Sequence, residues 1–498
     1  MRKLYLLIND KIGKIQPEIY GHFAEHIGGV VYGGIWVGKE SETDNINGFR
    51  RSVVEGLRRI KAPVIRWPGG CFAETYNWRD GIGKKRPVRR SWWTCYDGKY
   101  ESNEVGSHEF ADFCELVGAK PYFAANMTTN TPRDIYEWMD YCMSSEGTTA
   151  LAKERKANGR TEPFAIPFWG IGNENWVSGG NMTPETYVTG LRRYSTVIDN
   201  LAFDTKLFAC GPNATDYEWT RRFCDAYRDS IKCIDGFSIH YYCGQGGKIG
   251  ECADFTVDEW YELLKQASEI DTIINRNWNI IKGYGLENCM KLVVDEWGCW
   301  HNPNSGPSKG RNLFEQQSTM RDAMVTALTL NIFNNNCDKV IMANVAQLIN
   351  NLHCLFLADE DRCITTPTYH VFDLFKEHQG GTAFRTVYDK ERIKYCVGDE
   401  ESFTEDLSVS ASVKDGYVTV TLANLSADKT VEVCLQPVGA ELEEPFKLAE
   451  IGGCGLNAHN TFDEPDKVTA VFGKKGRGNQ ITLDKTSITL LRFKVKEC

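Results

Sequence analysis

The sequence has no apolar run long enough to cross a bilayer, no Cys-x-x-Cys pair, and neither a Gly-x-Gly-x-x-Gly nor a P-loop spelling after any apolar run. Each absence removes a class of protein. Without a long apolar run, no transmembrane helix is expected. Without paired cysteines, the 18 Cys read as reduced thiols scattered through a core, as in a cytoplasmic protein, and not as a disulfide framework. Without a glycine-rich phosphate loop, an open nucleotide-binding sheet is the weaker reading. The net charge of -10 is spread along the chain, so there is no basic patch for nucleic acid and no polybasic stretch for a membrane surface. The opening MRKLYLLINDK has a basic end and a short apolar run, but no small-residue cleavage site follows, and no signal peptide is expected.

What is present is 42% hydrophobic residues in a chain of 498, more than one usual domain size holds, so two domains are expected. Eight short runs rich in Val, Ile, Phe and Tyr recur: EIYGHF, APVIRW, KPYFAAN, IPFWGIGNE, KLFACG, IDGFSIHYY, KLVVDEW and KVIMANVAQL. Between them lie stretches such as GFRRSVVEGLRRIK and EQQSTMRDAMVTALTLNIF, with apolar residues at three- and four-residue intervals. Eight such units predict a (β/α)8 TIM barrel over residues 16–380. Beyond it, LSVSASVKDGYVTVTLANLS and QITLDKTSITLLRFKV alternate apolar and polar residues, which predicts an antiparallel β-sandwich over 381–498. Residues 1–15 read as strand, turn and strand and are expected to join that second domain, which reads as a structural cover for the barrel in preference to a sugar-binding module.

One stretch suggests a metal. GHFAEHIGG holds His22, Glu25 and His26 in the order H-x-x-E-H, which binds zinc when both His share a helical face. Gly21, Gly28 and Gly29 around it argue for a loop instead. In a barrel, chemistry sits at the C-terminal ends of the strands, and there the runs carry Glu25, Arg66, Asn126, Asn173 with Glu174, Asn213, His240 with Tyr242, Glu296 and Gln347. Glu174 and Glu296 close apolar runs on strands four and seven, across the mouth from each other. A single Glu there reads equally well as a salt-bridge partner, but two suit glycoside hydrolysis, where one carboxyl protonates the leaving oxygen and the other acts as nucleophile or base. Trp67, Trp78, Trp92, Trp93, Trp176, Trp297 and Trp300 lie near these sites and supply either flat faces for sugar rings or core packing.

The motifs GHFAEHIGGVVYGGIW, VIRWPGGCFAETYNWRDGIG, SNEVGSHEFADFC, WGIGNENW, SIHYY, VVDEWGCW and ANVAQLIN, in that order, resemble those of glycoside hydrolase family 51, the retaining α-L-arabinofuranosidases. The resemblance spans nearly the whole chain. It implies Glu174 as general acid/base and Glu296 as nucleophile. It further implies that Glu25, Arg66, Cys71, Asn173, His240, Tyr242, Trp300 and Gln347 line or support the sugar pocket, with Glu25 bonding sugar hydroxyls and Asn173 the 2-hydroxyl. It also implies a jelly-roll-like second domain, neither metal nor organic cofactor, frequent homo-oligomers and arabinose-containing saccharides as substrate. Cys71 stands where many members have Asn, and the loops VSGGNM and INNLHCLFLADEDRC depart from the usual pattern. Arabinan, arabinoxylan and arabinogalactan side chains therefore all remain open as substrates. An endo-β-1,4-glucanase or xylan-active relative, or a catalytically silent sugar-binding protein, is the alternative reading.

Overall fold

The computed structural model describes residues 1–230, 234–245, 249–301 and 305–496. Eight parallel strands close into a barrel: Gly21–Phe23, Val64–Trp67, Lys120–Ala125, Phe168–Ile171, Lys206–Ala209, Gly236–Cys243, Lys291–Cys299 and Val340–Ala346, barrel strands one to eight. They coincide with the eight apolar runs. Val64, Tyr122, Phe168, Phe208, Val293 and Met342 meet in one buried layer inside, so the barrel is a packed core and not a pore.

Several helices that follow the strands start on a signal readable in the sequence. Thr131 with Asp134, Thr256 with Glu259 and Thr319 with Asp322 form capping boxes, and Pro132, Pro184 and Pro367 occupy first turns, where a missing N–H costs nothing. The last helix, Pro367–Phe375, leads into the second domain.

That domain is built on one continuous nine-stranded sheet, with a separate hairpin of Arg392–Val397 and Glu400–Glu405. Leu6, Phe384, Val409, Val420, Phe446 and Leu483, drawn from strands across its width, share one core, so the sheet curls on itself as a sandwich does. The N-terminal residues contribute a single strand, Arg2–Lys14, in place of strand, turn and strand. It pairs with Thr382–Tyr388 on one side and Val431–Val438 on the other. Asn9 and Asp10, the turn formers, fall in an irregularity between Leu6 and Lys11, where extra residues are absorbed without reversing the chain. The sheet is tied to the barrel helices by polar contacts, among them Asn334 Nδ2 to Ser410 Oγ at 3.0 Å and Trp260 Nε1 to the Leu425 carbonyl at 3.0 Å.

Fifteen of the described cysteines are free. Cys289 is disulfide-bonded, a correction to the wholly reduced set expected: its half-buried sulfur lies in the turn after helix Val257–Gly283, outside the packed interior that holds most of the others. Among the described residues, no helix is long and apolar enough to cross a membrane.

Candidate active site

Barrel strand seven bulges by one residue between Val293 and Trp297. Val293 pairs with Ser238 and Glu296 with His240, three steps against two, and the same slip occurs against strand eight between Val294 and Trp297. This bulge breaks the strict alternation of side chains. Val293 points into the barrel layer, Val294 and Trp297 pack in the core outside it, and Asp295 and Glu296 both turn inward to the mouth.

Arg66, on strand two, holds these carboxylates. Its Nη1 donates to Glu296 Oε1 at 2.7 Å, its Nη2 to Asn173 Oδ1 at 2.7 Å, and its Nε lies 3.5 Å from Asp295 Oδ2. Burial opposes the guanidinium charge, but Asp295 and Glu296 outweigh it and raise its pKa. Tyr242 OH donates to Glu296 Oε2 at 2.9 Å, so both oxygens of Glu296 are held. Asp295 accepts from Tyr122 OH at 2.9 Å and from Ser238 Oγ.

His240 sits between the two glutamates. Its Nδ1 lies 3.0 Å from Glu174 Oε1 and 3.5 Å from Glu296 Oε2, and its Nε2 lies 3.3 Å from Asp295 Oδ1. Burial works against its charge, but Glu296, Asp295 and Glu174 together raise it to about 10. The imidazolium is thus the neutral-pH form, donating from both nitrogens. Glu174 itself occupies a left-handed turn, with φ of 42°, three residues beyond strand four. Cys71 Sγ lies 3.8 Å from its Oε2 and 3.0 Å from Ser178 Oγ. Donor oxygens of Glu174 and Glu296, with a ring nitrogen of His240, lie within 4.8 Å of one another.

The H-x-x-E-H stretch is not a metal site, because its side chains face three ways. His22, on strand one, is buried against Phe372, and burial pushes its pKa down to about 3. His26 Nδ1 bonds Glu101 at 2.9 Å, and its Nε2 accepts from Trp67 Nε1 at 2.9 Å. Glu25 alone reaches the mouth. Its Oε1 accepts from the backbone N–H groups of Gly70 at 3.1 Å and Phe72 at 2.9 Å, and its Oε2 from Gln347 Nε2 at 3.1 Å. Burial, and then the charge of Glu296, raise Glu25 to about 7. The glycines of Pro-Gly-Gly permit this crowding: a Cβ at Gly69 would lie 2.6 Å from Glu25 Cγ, and one at Gly70 would lie 2.6 Å from Glu296 Oε1.

A cavity of about 310 Å³ opens between these groups. Glu25, Cys71, Glu174, His240, Glu296 and Gln347 line its polar side, and Trp93, Trp176, Tyr242, Trp300 and Phe314 its aromatic side. Trp300 packs edge-on to Tyr242 at 5.2 Å and against Phe314 at 5.0 Å.

Comparison with known proteins fits this geometry. A model of the α-L-arabinofuranosidase 1 domain matches residues 56–255 and one of the α-L-arabinofuranosidase C-terminal domain residues 295–487. The structure of a GH51 arabinofuranosidase from Xanthomonas axonopodis pv. citri is similar with a TM-score of 0.91 at 35% identity, covering 99% of this chain and 100% of that one. An intracellular exo-α-L-arabinofuranosidase of Bacteroides ovatus is 35% identical over 478 residues, 94% of this chain and 90% of its own. The chain belongs to glycoside hydrolase family 51, the α-L-arabinofuranosidases. An arabinose complex of the Thermotoga maritima α-L-arabinofuranosidase superposes with a TM-score of 0.84 at 27% identity, covering 99% and 100% of the two chains.

In this family 51 chain the strand-end residues divide into two layers. Glu25, Cys71, Glu174, His240, Tyr242, Glu296, Trp300 and Gln347 line the cavity, whereas Arg66 and Asn173 stand behind it and hold what lines it. Asn173 Nδ2 is buried and has no hydrogen-bond partner among the described residues. Asn126 turns away, bonding Tyr76 O and Thr129 Oγ1. Of the tryptophans, Trp67, Trp78 and Trp297 are core, and Trp93, not Trp92, forms the wall.

Two further acids hold the site together, outside the strand-end set expected from the sequence. Glu74, fully buried, accepts from Asn173 N at 2.6 Å and from Met127 N and Thr128 N at 2.8 Å each, buckling the loops after strands two, three and four together. Asp295 anchors Arg66, Tyr122, Ser238 and His240. Both carry a sequence signal, an acid inside otherwise apolar CFAETY and LVVDEW, but strand alternation assigns such neighbours no definite side.

Proposed function

We propose that this protein is an exo-acting α-L-arabinofuranosidase that removes terminal α-L-arabinofuranosyl residues from arabinose-containing oligo- or polysaccharides with retention of configuration. The observation that carries the mechanism is the pair Glu174 and Glu296, whose oxygens lie within 4.8 Å of each other across a cavity of about 310 Å³. A retaining glycosidase needs carboxyl groups about 5 to 5.5 Å apart, whereas an inverting one needs room for a water between them. A cavity walled by Trp93, Phe314 and Trp300 favours one terminal sugar over an endo-acting cleft.

Glu174 gives its proton to the glycosidic oxygen while a Glu296 oxygen attacks the anomeric carbon. The bond to the leaving group breaks and a glycosyl ester forms. Glu174 then removes a proton from water, which attacks the same carbon and frees Glu296. Because His240 Nδ1–H donates to Glu174 Oε1, the acidic proton belongs on Oε2, the oxygen beside Cys71. Arg66 and Tyr242 hold the two oxygens of Glu296 and keep it aimed. Glu25 and Gln347 take sugar hydroxyls, and Trp300 covers an apolar face of the ring. We place the protein in the cytoplasm, as the Bacteroides ovatus relative is named intracellular, and expect a homo-oligomer in solution.

The test is hydrolysis of nitrophenyl α-L-arabinofuranoside with the anomer of the first product followed by NMR. Release of nitrophenol with retained configuration is expected. Inverted product overturns the double displacement, and turnover of cello-oligomers without turnover of the arabinoside overturns the substrate assignment.

A further inference from the structure

Glu174 stands in a turn beyond the reach of the barrel ladder. Strand four ends at Ile171, and the next backbone bond toward strand three is Gly172 N to the Ala125 carbonyl at 3.1 Å. Glu174 follows in the left-handed region, with φ of 42°, a conformation that a residue with a Cβ keeps only where its surroundings impose it. One buried carboxylate grips this turn from both sides. Glu74 Oε1 accepts from Asn173 N at 2.6 Å and from Asn175 Nδ2 at 3.2 Å, the residues immediately before and after Glu174. Asn175 Nδ2 also donates to the Gly179 carbonyl at 2.7 Å, and Val177 N and Gly179 N return to the Glu174 carbonyl at 2.8 and 3.0 Å, which closes the turn.

The same carboxylate is anchored to two other loops. Its Oε2 accepts from Met127 N and Thr128 N at 2.8 Å each, just past strand three. Its own backbone belongs to the short helical turn Cys71–Thr75 after strand two, which also carries Cys71, whose Sγ lies 3.8 Å from Glu174 Oε2. Burial pushes the pKa of Glu74 up, and the N–H groups, that of Asn173 first, work against it. The hydrogen bonds themselves require the carboxylate: two N–H donors on each oxygen occupy its lone pairs and leave none for a proton. Glu74 is fully buried and does not border the cavity.

We infer that Glu74 is the positioning residue of the acid: by holding the residues on both sides of Glu174 it fixes the turn that points Glu174 at the leaving oxygen. The inference rests on the reading of Glu174 as the general acid. It gives Glu74 no contact with sugar and no proton to transfer. Glutamine is the discriminating substitution, because its amide keeps the size of the side chain and replaces one acceptor oxygen by an NH2 group. Whichever way that amide lies, two N–H groups then meet a donor, either those of Asn173 and Asn175 or those of Met127 and Thr128. Both orientations cut the link between the turn and its anchor. The oxygens of Glu296 are held by Arg66 and Tyr242 through bonds that do not pass through Glu74, so attack on a good leaving group is spared.

The experiment compares full-length wild type, Glu74→Gln, Glu174→Ala and the double variant on an alkyl and a dinitrophenyl arabinofuranoside. Glu74→Gln should slow the alkyl arabinoside about tenfold or more, since misplacing a reacting group by about 1 Å costs on the order of 100-fold and a general acid is worth at least as much. The first step with the dinitrophenyl arabinoside, read as the burst of dinitrophenol, should slow less than about threefold, because it needs no proton. With the acid already removed, adding Glu74→Gln to Glu174→Ala should cost the alkyl substrate almost nothing more, as two residues acting as one unit are not additive. A purely structural role predicts equal losses on both substrates and full additivity. Either of those results, or unchanged turnover of the alkyl substrate by Glu74→Gln, overturns the inference. Should Glu74→Gln fail to fold, Asn175→Ala, which removes one donor to Glu74, decides by the same leaving-group contrast, and equal losses or no loss there overturn it too. If Glu174→Ala itself shows no such contrast, the acid assignment falls and this inference with it; if it does, only the role of Glu74 is at stake.

Discussion

Asp295 and Glu296 are adjacent in the chain, yet both face the barrel mouth, because the bulge in strand seven inserts one residue and turns the second carboxylate inward beside the first. The two then share Arg66. That arrangement lets one acid serve as an anchor and the other as the proposed nucleophile, and the division of labour with Glu174 can be tested.

Glu174→Ala should slow an alkyl arabinofuranoside by about 100-fold or more, the usual worth of a general acid. A dinitrophenyl arabinofuranoside should lose little in its first step, since that leaving group needs no proton. The glycosyl-enzyme should then accumulate, and azide should speed its breakdown to a retained azide product. With Glu296→Ala, azide should give the inverted product. The opposite pairing of outcomes would reverse the two roles.

Gly70→Ala should lower kcat about 100-fold while leaving the fold intact. A Cβ there would lie 2.6 Å from Glu296 Oε1, and displacement of a reacting group by about 1 Å costs on that order. Stopped-time assays alongside circular dichroism check it. Unchanged kcat would mean that Glu296 tolerates the contact.

Glu25→Gln should cut kcat/KM for the arabinoside about tenfold or more, as a charge-assisted hydrogen bond contributes about 1.5 to 3 kcal/mol. Its effect on stability should have the other sign and depend on pH. Burial raises Glu25 to about 7 from 4.5, so the folded state binds more protons than the unfolded, and wild-type stability falls as pH rises through that window. The variant lacks this loss. Its stability relative to wild type should therefore rise by about 3 kcal/mol between pH 4.5 and pH 8. Parallel denaturation midpoints across that range would contradict the shift.

Acid should destabilise the fold through its buried neutral histidines. His22 and His378 are lowered by burial to about 3, so the unfolded chain takes up protons that the folded one refuses. Each site should cost about 1.4 kcal/mol per pH unit as pH falls below 6.5 toward 3. His22→Leu removes one such site, whose ring nitrogens have no hydrogen-bond partner among the described residues. Urea titrations from pH 7 to pH 4 should show the variant losing stability less steeply; equal slopes would place the acid sensitivity elsewhere.

The sequence by itself determined the barrel, the order of its strands and the two glutamates. Apolar runs of period two, helical stretches of period 3.6 and capping residues such as Thr131 and Thr319 act over a few neighbouring positions and can be read there. It also determined that Glu25, His240, Tyr242 and Gln347 lie at strand ends, and hence at one mouth. Only the tertiary structure decided what each does. Arg66 lies behind the cavity, Trp93 and not Trp92 forms its wall, and Glu74 joins three loops. It likewise settled that residues 1–15 form one bulged strand, and that Asp295 and Glu296 face the same way. These outcomes rest on contacts between residues far apart in the chain. A bulge, or the choice between two adjacent tryptophans, is set by what the neighbouring strand or loop leaves room for, and local periodicity carries no record of that partner.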